Sequence, residues 1–382
     1  MRVLMLSKAL VTGVYQKKLE ELAKLPDVEL LCIVPPYWLE GRVGSVNLNQ
    51  LYTEGYELAV EPMRFNGRHH VHFYPGLRKQ IRRFRPDIVH IDEEPYNVVT
   101  AHATMLARQV KAKVAFFAFQ NINRRYPPPF SFIERYCYSR AAVGIAGNQD
   151  AADVLRQKGF QKPIEVIPQF GVDPTIYRPV SRTSDWKHVP TIGYIGRIVP
   201  EKGLDTLIEA VARVPNRPHV LIVGSGSHRQ ELQHLAERLG VRDRVQFRSA
   251  IPPEQVPRMM ADFDALVLPS LTRPNWKEQF GRVLIEAMSC EVPVIGSDSG
   301  EIPNVIGDSG LVFAEGNVDE LAGHIRNVLE DASYRRSLGV AGRKRVLENF
   351  TQEKVAEQTY RLYRSMLGMP DWQPDGELAS NG

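Results

Sequence analysis

Glu278 and Glu286 stand eight positions apart in "KEQFGRVLIEAMSCEVPVIG" (277–296), with a Phe-Gly step and a short apolar run between them. A glycosidase-like pair, acid and base flanking one bond, needs carboxylates about 5 to 9.5 Å apart. Eight helical positions already span about 12 Å. The two acids therefore grip different parts of one extended ligand. Ionised carboxylates accept paired hydroxyl hydrogen bonds well, so sugar diols are the natural partners. The pattern Val283, Leu284, Ala287, Met288 predicts a buried helix starting near Gly281, with Glu278 in the loop before it. Its N-terminus, between the two acids, is aimed at phosphate. The plain alternative is an i,i+4 ion pair of Arg282 with Glu286 and a solvated Glu278.

A second constellation lies in "GYIGRIVPEKG", where a strand ends at Gly196 and Arg197 and Lys202 precede a helix. Glycine lets the backbone approach a ligand closely, and two cations at a helix start suit a diphosphate. Solvated charges on a turn are the alternative. The next glycine turn, "VGSGSH", offers Gly224 and Gly226. As a dinucleotide fingerprint it fails: Arg229 holds the third glycine position and "RVQFRSA" supplies no acid after the next strand. An ordinary tight turn is the other reading of these glycines.

Elements able to position these residues alternate along the chain. Strand candidates in the first half are "RVLML", "VELLCIV", "DIVHID", "VAFFAF", "VGIAG" and "IEVIP". After a linker-like stretch over 169–190, a second series reads "TIGYIG", "HVLIVG", "RVQFRS", "ALVLPS", "VPVIGS" and "GLVFA", with helical stretches such as Leu204 to Val214 and Val318 to Asp331 between. This is the pattern of βα units in parallel sheets. It predicts an α/β protein of two doubly wound, Rossmann-like domains facing each other, with ligand at the carboxyl ends of the strands. The expected boundaries are a first domain over 1–175, a second over 176–350, a helix over 351–367 and a flexible polar tail over 368–382.

The bulk properties agree. A chain of 382 residues, 43% hydrophobic and 24% charged, has material for roughly two domains of about 150 residues. Cys32, Cys137 and Cys290 are odd in number and far apart, which suits a reducing compartment rather than a disulfide framework. Lys8 cuts the N-terminal apolar run short of a signal peptide, and no run approaches the roughly 18 apolar residues of a membrane span. A cytoplasmic protein is expected, with no nucleic-acid partner.

With these residues assembled, the chain resembles a family 4 retaining glycosyltransferase of the GT-B fold. The likeness is carried by "GRIVPEKG", "VGSGS", "EQFGRVLIEAMSCEVPVIGSDSGEIPNVI" and "GLVF", the E-x7-E pattern being the specific part. The resemblance implies that Glu278 holds hydroxyls of the donor sugar, that Glu286 grips the nucleotide ribose, and that Arg197 and Lys202 bind the diphosphate. Backbone amides from Phe280 to Arg282 are implied as further contacts. It also implies that the helix over 351–367 crosses back onto the first domain.

In that first domain the likeness is thinner. Where relatives carry a Gly-Gly pair in the first loop, "SKALVTGVY" supplies only Gly13. Where a histidine commonly follows the fifth strand, this chain has Gln120 and Asn121, which can still donate to a sugar hydroxyl. Glu93 and Glu94, in "HIDEEPYN" at a strand end, could read acceptor hydroxyls; a solvated acidic loop is the alternative.

The implied reaction moves a sugar from a nucleotide-diphosphate donor to a sugar, glycolipid or other hydroxyl acceptor with retained configuration, as in envelope polysaccharide or glycoconjugate synthesis. The implied mechanism is front-face, with no bound metal or other cofactor, and the sequence shows no Asp-x-Asp cluster to hold a metal on the diphosphate. A nucleotide-sugar epimerase of similar fold and a non-catalytic nucleotide-sugar-binding protein are the rival readings.

Charge divides unevenly. Residues 1–175 hold 23 Lys and Arg against 17 Asp and Glu, whereas the remainder holds 25 against 27. Much of the excess lies in "MRFNGRHHVHFYPGLRKQIRRFRPD", where Phe65, Phe73, Tyr74 and Phe84 interleave with arginines; "NRRYPPPFSF" is similar. Such mixtures bind anionic lipid headgroups, so peripheral contact with the inner face of the plasma membrane is a further expectation. A helix with a solvated charged face is the alternative.

Overall fold

A computed structural model describes residues 1–41, 44–182 and 189–373. The chain divides into two compact units. Unit 1 is Met1–Gly171 together with the chain from Gln352 onward, and unit 2 is Val172–Thr351. Most of the tail expected over 368–382 lies outside the described residues.

Unit 1 is built on strands β1 (Arg2–Leu6), β2 (Glu29–Val34), β5 (Glu57–Val60), β6 (Ile88–Ile91), β7 (Lys113–Ala118), β8 (Val143–Ala146) and β9 (Ile164–Val166). They form one parallel sheet in the order β5-β2-β1-β6-β7-β8-β9. Between β2 and β5 lies an antiparallel pair, β3 (Tyr37–Glu40) with β4 (Gly44–Asn47). The period-2 alternation of a strand sends Leu4 and Leu6 to one face and Val3 and Met5 to the other, so both faces need cover. The first face is covered by α2 (Leu77–Phe84), α3 (Val98–Gln109), α4 (Phe130–Arg140) and α5 (Gln149–Gln157), and α1 (Lys17–Ala23) lies on the second.

Unit 2 repeats the plan. Strands β10 (Thr191–Ile195), β11 (His219–Val223), β12 (Val245–Arg248), β13 (Ala265–Leu268), β14 (Val294–Ser297) and β15 (Leu311–Phe313) make a parallel sheet ordered β12-β11-β10-β13-β14-β15. Its helices are α6 (Leu204–Arg213), α7 (Arg229–Arg238), α8 (Val256–Met260), α9 (Arg282–Ser289), α10 (Ile302–Ile306), α11 (Val318–Glu330) and α12 (Ala332–Asn349). Around a single apolar core, the loops at the carboxyl ends of β10 and β13 carry the candidate residues.

The last helix, α13 (Gln352–Leu367), returns to unit 1 and completes the cover of its second face. Val355, Ala356, Tyr360 and Tyr363 are buried there beside Leu19 and Leu22 of α1. Tyr363 shares a 2.6 Å hydrogen bond with Nδ1 of the buried His90, and the Tyr360 hydroxyl donates to the Pro26 carbonyl. At its start, Gln352 exchanges two hydrogen bonds with the Gly171 backbone, standing in for a strand neighbour.

Two sequence expectations need revision. The stretch over 37–60 carries three strands that the apolar pattern did not reveal, because each is only four residues long and largely exposed on one side. In the basic-aromatic stretch, Tyr74 and Phe84 are core residues, 1% and 4% exposed, so they offer nothing to a membrane.

Candidate functional site

In unit 2 the turn after β10 and the loop after β13 are forced together by glycines. Gly203 has φ +62, and a Cβ there would sit 2.0 Å from the Pro269 carbonyl oxygen. That contact places Lys202 against the loop carrying Glu278. Lys202 donates to Oε2 of Glu278, and the Ser270 hydroxyl donates to the same oxygen at 2.8 Å. The ammonium also lies 5.0 Å from the centre of the Trp276 ring, a cation–π arrangement. Glu278 is only 8% exposed and is therefore not the solvated acid of the plain alternative. Arg197 remains at the surface, its side chain 56% exposed and 3.9 Å from Glu201.

Helix α9 begins where the apolar period predicted. Gly281 is its N-cap in the left-handed region, with φ +74, and Gly203 is the left-handed N-cap of α6. Neither glycine can cap with a side chain, so no N-cap side chain competes with an anion at either helix start. Glu286 sits one turn into α9 and forms an ion pair with Arg282 at 2.9 Å, so the i,i+4 pairing occurs. Tyr177 completes its surroundings with a side-chain hydrogen bond. Burial raises the Glu286 carboxyl above its ordinary range, opposed by Arg282 and Tyr177. Phe280 packs its ring edge-on against Phe350 and serves the core, leaving its backbone for ligand contact.

The remaining glycines have packing reasons. Gly224 has φ +147 and would drive a Cβ to 1.8 Å from the Gly196 carbonyl, and Gly226 lies equally tight against Ile198. The two turns therefore interlock. Gly13 faces Leu51 and the Asn49 carbonyl within unit 1, so its missing side chain makes room for that loop.

Unit 1 gathers a separate polar cluster at the carboxyl ends of β6 and β7. Glu93, 4% exposed, pairs with Lys8 and lies 3.4 Å from His72. Burial pushes its carboxyl upward, but Lys8 and His72 outweigh that and hold it down at about 2. Glu94 accepts the Phe119 amide at 2.8 Å through Oε1, while Oε2 is buried without a partner. Burial pushes this carboxyl up to about 7 despite the Phe119 and Gln120 amides and Lys158. These acids are thus neither equivalent nor solvated.

Gln120 is oriented by Lys158, which donates to its Oε1 at 3.1 Å and to Glu134 at 2.7 Å and lies 4.9 Å from the Tyr126 ring centre and 5.7 Å from that of Tyr96. A lysine can only donate, so the glutamine carbonyl must face it. The amide Nε2, buried without a partner, is the group left for a hydroxyl. Asn121 is 6% exposed beside it in sequence. Sequence reasoning missed Ser270, Trp276, Tyr177, Lys8 and Lys158. Only Ser270, ending the strand run "ALVLPS", carried a local signal.

Known proteins are similar to this chain in sequence and in fold. A family model described as "Glycosyl transferases group 1" matches residues 182–345, and one described as "Glycosyltransferase Family 4" matches 42–175. The alpha-maltose-1-phosphate synthase of Mycolicibacterium smegmatis is 30% identical over 300 residues, 71% of this chain and 73% of the synthase. A GDP-mannose-dependent alpha-(1-6)-phosphatidylinositol monomannoside mannosyltransferase from the same organism is 32% identical over 228 residues, 58% of either chain. Among solved structures, the sucrose-phosphate synthase of Thermosynechococcus elongatus superposes with a TM-score of 0.72 at 19% identity, covering 96% of this chain and 99% of that one. Anabaena HepE, solved in complex with UDP, gives 0.71 at 19% identity over 96% and 100%.

Proposed function

Because the chain belongs to the family 4 glycosyltransferases, we propose that it moves a glycosyl unit from a nucleotide-diphosphate sugar to a hydroxyl acceptor with retention of configuration. The observation that carries this reading is the contact of Lys202 with Glu278 beside two helix starts that lack capping side chains. In the reaction the bond from the anomeric carbon to the diphosphate breaks as the bond to the acceptor oxygen forms on the same face. The acceptor proton passes to the departing phosphate oxygen.

Negative charge grows on the diphosphate as its bond stretches. Arg197, Lys202 and the amides of Gly281 and Arg282 stabilise that charge more than they stabilise the ground state. Lys202 must release Glu278 in part to do so, which frees the carboxylate to accept donor-sugar hydroxyls. Glu286 accepts ribose hydroxyls, with Arg282 and Tyr177 fixing its direction. In unit 1, Gln120 Nε2 donates to a sugar hydroxyl and Glu94 Oε2 accepts from one, satisfying two buried atoms that are costly to leave alone. These donors and cations serve the diphosphate without a metal. The mannosyltransferase relative is named for a lipid-linked acceptor and the aminocyclitol relative, 2-deoxystreptamine glucosyltransferase from Streptomyces kanamyceticus, for a small one; a glycolipid or sugar hydroxyl suits this chain. The relatives named are transferases and synthases and lend the epimerase reading no support.

The test is incubation with UDP-, GDP- and ADP-sugars, each with and without chelator. Release of free nucleoside diphosphate from at least one donor, undiminished by chelator, is the expected result. Isomerised sugar without release, or binding without either, would overturn the reading.

A further inference from the structure

Donor binding makes no use of the cationic layer of unit 1. Helix α2 carries Arg78, Arg82 and Arg85 at i, i+4 and i+7, the last at its left-handed C-cap. All three are exposed. Among the described residues none of them pairs with an acid, and neither α2 nor α3 contains an Asp or Glu. Their neighbour Arg83 shows the contrast, because Glu57 neutralises it. Between α2 and the last turn of α3 the three guanidinium groups line a cavity of about 490 Å³, walled also by Ile81, Leu106 and Val110.

Helix dipoles explain only part of this arrangement. Cations are favoured in a last turn, which suits Arg82 and Arg85, but Arg78 stands in the first turn of α2, where a cation is disfavoured. Three like charges around one apolar-walled cavity call for an anion that several forked donors can share. A phosphate diester has that form, since guanidinium groups bind phosphate oxygens in pairs while apolar walls accept the first methylenes of its ester chains.

We propose that this groove docks the protein on a membrane by holding the phosphate of an anionic phospholipid headgroup. The surroundings favour a lipid over free phosphate. Lys79, Arg108 and Lys111 are exposed on the same two helices and the turn after α3, and Met105 of α3 is 44% exposed. The contact is peripheral, since no helix among the described residues is long and apolar enough to cross a membrane. It stands independently of the donor chemistry.

The full chain should co-sediment at low salt with phosphatidylcholine vesicles containing phosphatidylglycerol, and not with phosphatidylcholine alone. Each cation near an anionic surface is worth about a fivefold change in partitioning. Arg78→Gln/Arg82→Gln/Arg85→Gln should therefore lose on the order of a hundredfold, and Arg78→Gln alone about fivefold, with melting temperature and donor turnover unchanged. The charge-matched control Arg326→Gln/Arg336→Gln/Lys344→Gln, on exposed positions of unit 2, should lose far less. Equal loss in both triples, no loss in the groove variants, or no vesicle binding by the unmodified chain would overturn the proposal. Groove-dependent binding of inorganic phosphate in calorimetry without vesicle binding would also overturn it and mark a site for small anions.

Discussion

The side chains proposed to meet a donor are already engaged with one another, and that engagement shapes what single substitutions do. Lys202→Ala removes a charge-assisted contact and should weaken nucleoside-diphosphate binding by about 1.5 to 3 kcal/mol in calorimetry, as should Arg197→Ala. Glu278→Gln should behave oppositely, because Glu278 holds Lys202 and on the proposed reading competes for it with the diphosphate. Free nucleotide should bind at least as tightly while turnover collapses. Glu286→Ala should weaken free nucleotide as well, and matching profiles for the two glutamate variants would end their division of labour. Glu94 offers a different readout. Its carboxyl is held up at about 7 against an ordinary 4.5, so the fold retains a proton that the unfolded chain releases in between. Stability from this group is full below about pH 4.5 and declines as pH rises towards 7. The melting temperature of Glu94→Gln should therefore gain on that of the unmodified protein across this window, and a constant difference would contradict the assignment. The candidate pair was legible because Glu278 and Glu286 lie close in sequence. The hold of Lys158 on Gln120 was not, since 38 positions separate them and only the sheet brings β7 and α5 together.

At the level of elements, the candidate-site loops depend on backbone conformations that only glycine adopts freely. In Gly203→Ala, the left-handed backbone costs roughly 1 to 2 kcal/mol for an L-residue. The new Cβ would also press on the Pro269 carbonyl, which as backbone has little room to yield. Gly316→Ala is the comparison, because Gly316 has φ +75 but nothing within 4 Å of its would-be Cβ. Urea denaturation should show Gly203→Ala as the more destabilised variant, and only that variant should also lose nucleotide affinity. The start of α9 at Gly281 could be read from sequence because a glycine preceded a clear apolar period. The strands over 37–60 could not, being short and half exposed. The run "LRKQIRRF" misleads for a related reason: adjacency mixes cations with Phe84, while the helical period sends Leu77, Ile81 and Phe84 inward and leaves Arg78, Arg82 and Arg85 outside.

Across the whole molecule, the second face of the first sheet is closed by α13, drawn from the far end of the chain. Without it the cluster of Val3, Met5, Cys32, Ile88 and Phe117 would keep only the cover of α1, and the His90 ring would lose its hydrogen bond to Tyr363. A chain ending at Thr351 should therefore show early, non-cooperative melting of unit 1 with unit 2 largely intact in hydrogen exchange. A circular permutant that begins at Gln352 and runs from α13 into β1 should restore one sharp transition. The same feature sets an order of events at the ribosome. The first half of the chain emerges with its sheet partly bare, and residues 172–351 must be made before its missing helix appears. At about 5 to 20 residues per second that delay is on the order of ten to forty seconds, long enough for exposed apolar strands to meet those of a neighbouring nascent chain. Expression yield should thus depend on chaperones that shield the early half, and on translation speed through the second half, more than on the final stability of either unit.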